Sequence, residues 1–104
     1  MNRQEVIQSI KNVIRITAPD ATLILYGSEA RGDNQDDSDI DLLILVDREV
    51  LSYDDIREIT YPLYDIELES GVLISPLVYT KRQWYNRPFK TPFYINVMNE
   101  GIRL

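Results

Sequence analysis

The chain contains no histidine and no cysteine. These two absences remove the usual zinc ligands, the cysteine nucleophile, the disulfide framework and the Ser-His-Asp triad. Acid–base or metal chemistry must then come from carboxylates, lysine, arginine, tyrosine or hydroxyls. Glycine is scarce, at 4 residues, so a glycine that opens a loop is informative. Long apolar runs are also missing. The longest, Leu42–Val46, falls far short of the roughly 20 residues of a membrane-spanning helix. The opening MNRQEVIQSI is polar and charged, with no apolar signal core. These features predict a cytoplasmic protein with no membrane contact.

The 104 residues, 44% of them apolar, suit a single domain spanning 1–104. The formal net charge is −6, unevenly spread. Residues 1–80 carry 6 basic and 16 acidic side chains, and residues 81–104 carry 5 basic and 1 acidic. Backbone binding to double-stranded nucleic acid needs clustered cations, so the acidic body excludes that partner. The basic segment either balances the acidic body or meets an acidic partner or a nucleotide.

Val6, Ile10, Val13 and Ile14 recur at helical spacing, which predicts an amphipathic helix over 3–16. Thr22–Tyr26 and Ile40–Val46 read as buried strands, with a helical turn and a polar loop between them. Ser52 opens a second helix with the apolar stripe Ile56, Ile59, Leu63 and Ile66. Pro62 inside that stripe predicts a kink or a division, because its ring removes one backbone hydrogen bond. Val72–Tyr79 is the third strand, and Pro76 suggests an edge position. Thr91 and Pro92 start a last helix, and residues 102–104 suggest a terminal strand. The order α-β-β-α-β-α indicates an α/β (α+β) fold, a mixed sheet flanked by helices.

The chemically informative stretch is Tyr26–Leu42, YGSEARGDNQDDSDIDL. Gly27 and Ser28 follow a strand and open a helical turn. Glycine there lets a ligand approach the backbone closely, and the backbone amides and the Ser28 hydroxyl suit phosphate oxygens. Asp39 and Asp41 stand two apart at the start of the next strand, so they share a face, while Ile40 and Leu42 point into a core. Two adjacent carboxylates repel each other and call for a cation. Hard oxygen ligands favour Mg²⁺, which takes one or two carboxylates plus substrate phosphates. Arg31 either contacts a phosphate or pairs with a neighbouring aspartate and braces the loop. Together these parts describe a nucleoside triphosphate held by its phosphates beside a metal on two aspartates. A Walker A reading fails because Asp33 and Asn34 stand where lysine and serine or threonine belong. An EF-hand reading from Asp33 fails because Ser38 replaces the sixth-position glycine and Ile44 the twelfth-position glutamate.

At Gly27-Ser28, Ala30-Arg31-Gly32 and Ser38-Asp39-Ile40-Asp41-Leu42 the chain resembles the DNA polymerase β-like nucleotidyltransferases, in their small stand-alone form, the minimal nucleotidyltransferases. The resemblance implies that Gly27 and Ser28 bind the nucleotide phosphates, with Arg31 matching the same motif. It implies that Asp39 and Asp41 hold Mg²⁺ and are the catalytic pair. It also implies transfer of a nucleoside monophosphate from an NTP to a hydroxyl of a protein or small molecule, with loss of pyrophosphate. One departure stands out. Family members usually carry a third carboxylate on the following strand, and Val72–Tyr79 has none; Ser75 or Pro76 stands about there. Asp65, Glu67 and Glu69 substitute only if the chain folds back. The alternative is a weakened, nucleotidyltransferase-like binding module that acts as the antitoxin partner of a small helical, HEPN-type toxin. Trp84, Tyr85 and Phe89, read as exposed aromatics, and the basic segment support that alternative, while Trp84 also reads as a core lid or interface residue rather than a base-stacking platform.

Overall fold

The computed structural model describes residues 1–104. Its centre is the apolar run that the sequence concentrates in β2 (Ile40–Val46). Alternate side chains of a strand face opposite ways, and every β2 residue except Asp41 is buried. Such a strand needs apolar cover on both faces. The sheet order is β3-β2-β1-β4, which places β2 inside, between β1 (Thr22–Tyr26) and β3 (Ile74–Thr80). β1 pairs antiparallel with β2, and β3 pairs parallel with it, so the sheet is mixed. The last strand, β4 (Ile102–Arg103), lies antiparallel on the far side of β1.

One face packs against two helices, α1 (Arg3–Thr17) and α3 (Tyr53–Ser70). Ile40, Leu42, Ile44 and Val46 meet Val6, Ile10 and Ile14 of α1, together with Ile59, Leu63 and Ile66 of α3. Both helices begin with a reciprocal capping box, Asn2 with Glu5 and Ser52 with Asp55. α3 ends where Gly71 takes a left-handed conformation. Of the kink or division that the sequence predicts at Pro62, the division does not occur, and α3 runs through it as one helix. The apolar stripe continues on both sides of it, and the carbonyl it leaves without a donor, that of Glu58, belongs to a solvent-exposed residue. α3 forms the crossover between the parallel strands β2 and β3.

The opposite face is covered at one end only. Ile24, Leu43 and Leu45 pack with Trp84, Tyr94 and Val97 from α4 (Lys81–Tyr85) and α5 (Pro92–Glu100). The short helix α4 is absent from the sequence-based order, and it corrects the reading of Trp84 as exposed. That indole is fully buried, while Tyr85 and Phe89 are exposed. Thr80 and Gln83 make a third capping box. The box turns the chain sharply at the end of β3 and drops Trp84 onto the sheet. Its Nε1 lies 3.4 Å from Met98 Sδ, and the Arg87 guanidinium sits 4.5 Å from its ring centroid. At the other end of this face lies α2 (Gly27–Arg31), in the loop from β1 to β2. There the sheet surface stays open around Asp41.

Removing the buried indole leaves a large cavity in the smaller core. Trp84→Ala is therefore expected to cost about 3–5 kcal/mol, read from the shift of the urea unfolding midpoint at constant slope.

Candidate functional site

The site is a consequence of register. Antiparallel pairing sets Tyr26 opposite Asp41, and parallel pairing sets Ser75 on its other side. All three side chains leave the same face of the sheet. Asp39 lies just before β2, and its Oδ2 accepts a hydrogen bond from the Ser75 hydroxyl at 3.0 Å. Gly27 follows Tyr26 at φ +71°, a left-handed conformation that glycine adopts without strain. A Cβ added there would collide with the Asp41 carboxylate. The turn after β1 is thus pressed directly against the second aspartate, and Ser28 follows it into α2.

Electrostatics mark the same spot. The Asp41 carboxyl is pushed above the ordinary carboxylate range, first by burial and then by the Asp39 charge, with Arg31 pulling the other way. The Tyr26 hydroxyl is pushed up to about 12 by burial, and then by Asp41 and Tyr79. It stays protonated at any physiological pH. Arg31 pairs with Asp33 at 3.1 Å and with Glu100 at 3.3 Å. Of the two roles the sequence leaves open, the structure displays the bracing one, in which Arg31 ties α2 to its loop and to α5. Between α2 and α5 runs a groove of about 220 Å³, lined by Tyr26, Gly27, Arg31, Phe93, Asn96 and Glu100 among others.

No third carboxylate joins the pair. Ser75 occupies the register position beside Asp41. Glu67 is engaged elsewhere, accepting the Ile74 amide at 2.7 Å. Asp65 and Glu69 lie on the outer face of α3, across the sheet from Asp41. The chain does not fold back to bring any of them in. Two carboxylates and one hydroxyl remain on one open patch. These are hard oxygen donors, and they fit an ion such as Mg²⁺ that keeps several positions for water and substrate oxygens.

Residues 7–103 match the family model described as nucleotidyltransferase domain. The chain belongs to this family. Two proteins of Methanocaldococcus jannaschii, both named "Putative protein adenylyltransferase", are similar to it. One is 34% identical over 102 residues, covering 96% of each chain. The other is 31% identical over 103 residues, covering 97% of this chain and 96% of that protein. A solved structure described as "Structure of putative minimal nucleotidyltransferase" aligns over 100% of this chain and 97% of its own, at a TM-score of 0.66 and 23% identity. That likeness is one of fold, and it agrees with the mixed sheet and flanking helices found here.

Within this nucleotidyltransferase domain, Gly27, Asp39 and Asp41 come together at one end of the open face. Ser28 opens α2 beside them, and Arg31 ends that helix. Sequence reasoning does not single out Tyr26 as a neighbour of the pair, and for the position of the third acid it leaves Ser75 and Pro76 open; the register selects Ser75. Tyr26 and Ser75 are both placed by strand pairing, and only the register shows that they flank Asp41.

Two outcomes follow from this geometry. Gly27→Ala combines a left-handed backbone with a collision, and is expected to destabilise by more than the roughly 1 kcal/mol typical of a strained glycine replacement, read by thermal melting. Asp41→Asn removes a charge that the fold holds unfavourably. The folded chain binds that proton more tightly than the unfolded chain, so the native protein loses stability as pH rises from the ordinary value of 3.8 through the raised one. In metal-free buffer the asparagine variant should melt above the native protein at pH 7, with the gain gone below the ordinary value. Calorimetric scans at both pH values check this, and a lower melting temperature at pH 7 would contradict the repulsion.

Proposed function

We propose that the protein is a Mg²⁺-dependent adenylyltransferase that moves AMP from ATP to a hydroxyl of a protein acceptor. The observation that carries this reading is the contact of Asp41, the inner member of the Asp39/Asp41 pair, with the Gly27 turn. Charged oxygens and a close-approach backbone meet there on one open patch. Family membership supports the transfer chemistry, and the names of the two archaeal relatives support adenylyl as the group and protein as the acceptor class.

In this reading Gly27 and Ser28 hold the phosphates, and Asp39 and Asp41 hold Mg²⁺. A cation held by Asp39 and Asp41 would supply charge neutralisation for the triphosphate and for the attacking and leaving oxygens. The chain's own contribution is positioning. Ser75 steadies Asp39, Gly27 keeps the phosphate turn against Asp41, and Arg31 fixes α2. The acceptor hydroxyl adds to the α-phosphorus and the α–β anhydride bond breaks. Pyrophosphate leaves with the electron pair, and the acceptor proton passes to solvent. The open face beyond Asp41 leaves space for a protein side chain to reach the site.

A second reading is a binding module, the antitoxin-like partner of a small helical protein. The serine in place of a third acid favours it. So does the outer face of α3, where Tyr53, Tyr61, Tyr64 and Leu68 are all exposed. Stable co-elution of the two proteins, with no label transfer, is the outcome that selects it.

The deciding experiment uses ATP labelled at the α- or the γ-phosphate, with Mg²⁺ and a cell extract as acceptor source. Covalent label on protein from α-labelled ATP alone is expected, and Asp39→Asn with Asp41→Asn should abolish it. Label from γ-labelled ATP that appears only when the protein is added, or α-label unaffected by the double variant, would overturn the proposal. Ser75→Asp supplies the acid that β3 lacks. It should raise the transfer rate roughly tenfold, about 1.4 kcal/mol of barrier, when assayed at saturating Mg²⁺.

A further inference from the structure

The two halves of the site come from different segments, the Gly27-Ser28 turn after β1 and the loop before β2. The loop that delivers Asp39 is crowded with Asp33, Asp36 and Asp37, whose charges repel one another. One cation reaches into it from elsewhere. Arg3, in the first turn of α1, donates from Nε to Glu29 Oε1 at 2.7 Å. Its Nη2 donates to the Ser38 carbonyl at 2.7 Å, and its Nη1 to the Asp36 carbonyl at 3.3 Å. The ion pair is largely covered, with 17% of the Arg3 side chain and 10% of the Glu29 side chain exposed.

The two shortest contacts are each adjacent to a site residue. Glu29 follows Ser28 in α2, and Ser38 precedes Asp39. A single planar guanidinium therefore touches the phosphate turn's helix on one side and the aspartate loop on the other. We infer that Arg3 is a positioning residue that sets the distance between the Gly27-Ser28 turn and Asp39, and so tunes uptake of the metal–nucleotide complex without touching it. This inference rests on the nucleotidyl-transfer reading above. Arginine suits the task because its fork offers several donors in one fixed plane. A lysine ammonium keeps the charge against Glu29, but as a point charge it does not span two carbonyls as well.

The test compares Arg3→Lys with the double variant Arg3→Met/Glu29→Met, which removes both covered charges together and leaves neither unpaired. Folding is verified by circular dichroism and melting, and Arg15→Lys, in the last turn of α1, serves as the control. The first measurement is amide hydrogen exchange, with no ligand present. Exchange of the hydrogen-bonded loop amides of Gly32, Asp33 and Ser38 is expected to speed up in both variants, while the strand amides of β1 and β2 stay protected. The second is Mg²⁺-ATP binding by calorimetry, where a loss of about 10–100-fold is expected in the double variant, with a smaller loss for Arg3→Lys. Loop exchange as slow as in the native protein, in a folded double variant, overturns the inference. Native-like Mg²⁺-ATP affinity in that variant, within about twofold where supporting residues usually cost tenfold or more, overturns it as well and leaves the transfer reading intact. A native protein that takes up no Mg²⁺-ATP overturns the transfer reading, and with it the role of Arg3 in uptake.

Discussion

A strand buried on both faces governs this molecule. β2 presents apolar side chains to either side of the sheet, so neither side can be left to water. That requirement brings α1 and α3 to one face and α4 and α5 to the other. It also sets the boundary of the site. Asp41 is the one β2 residue that is not buried, and around it the second layer stops. The polar end of an otherwise apolar strand is thus where the protein opens, and there the aspartate pair and the Gly27 turn meet.

The same arrangement holds a charge where the fold does not favour it. Partial burial and the neighbouring Asp39 both press the Asp41 carboxyl toward protonation. Three features keep it in place: the Gly27 turn against its oxygen, the Ser75 hydroxyl on Asp39, and the sheet register beneath both. Functional groups often cost stability in this way, since the environment that suits a ligand is unfavourable without it. A cation that enters relieves the repulsion, so ligand binding and local stability are linked.

Much of the fold is legible where signals are local. The bounds of β1 and β2 follow from apolar runs ended by Gly27 and Asp47. The start of α3 follows from Ser52, and that of α5 from Thr91 and Pro92. The Asp39/Asp41 pair and the Gly27-Ser28 turn are legible because strand alternation and glycine placement are short-range facts. What escapes is long-range or competes with a stronger local rule. Helix α4 has its own local cue, the Thr80/Gln83 box, but the burial of Trp84 depends on Tyr94, Val97 and Met98 arriving from α5. Pro62 reads as a breaker, and tertiary packing on both sides of it prevails. Ser75 beside Asp41, and Arg3 beside Ser38, join residues 34 and 35 positions apart, and no local pattern announces them.

The hydrogen bond from the Ile74 amide to Glu67 has a further effect at the rim of the sheet. The Ile40 amide donates to the Leu73 carbonyl, so in β3 the odd-numbered amides turn toward β2 and the even-numbered ones outward. Of those outward groups, Ile74 is taken by Glu67 and Thr80 by Gln83, and Pro76 has none to give. Only Val78 is left to offer a donor. An incoming peptide or a second sheet finds almost no ladder to join along this border. This edge of the sheet is thereby guarded against edge-wise growth into fibrils.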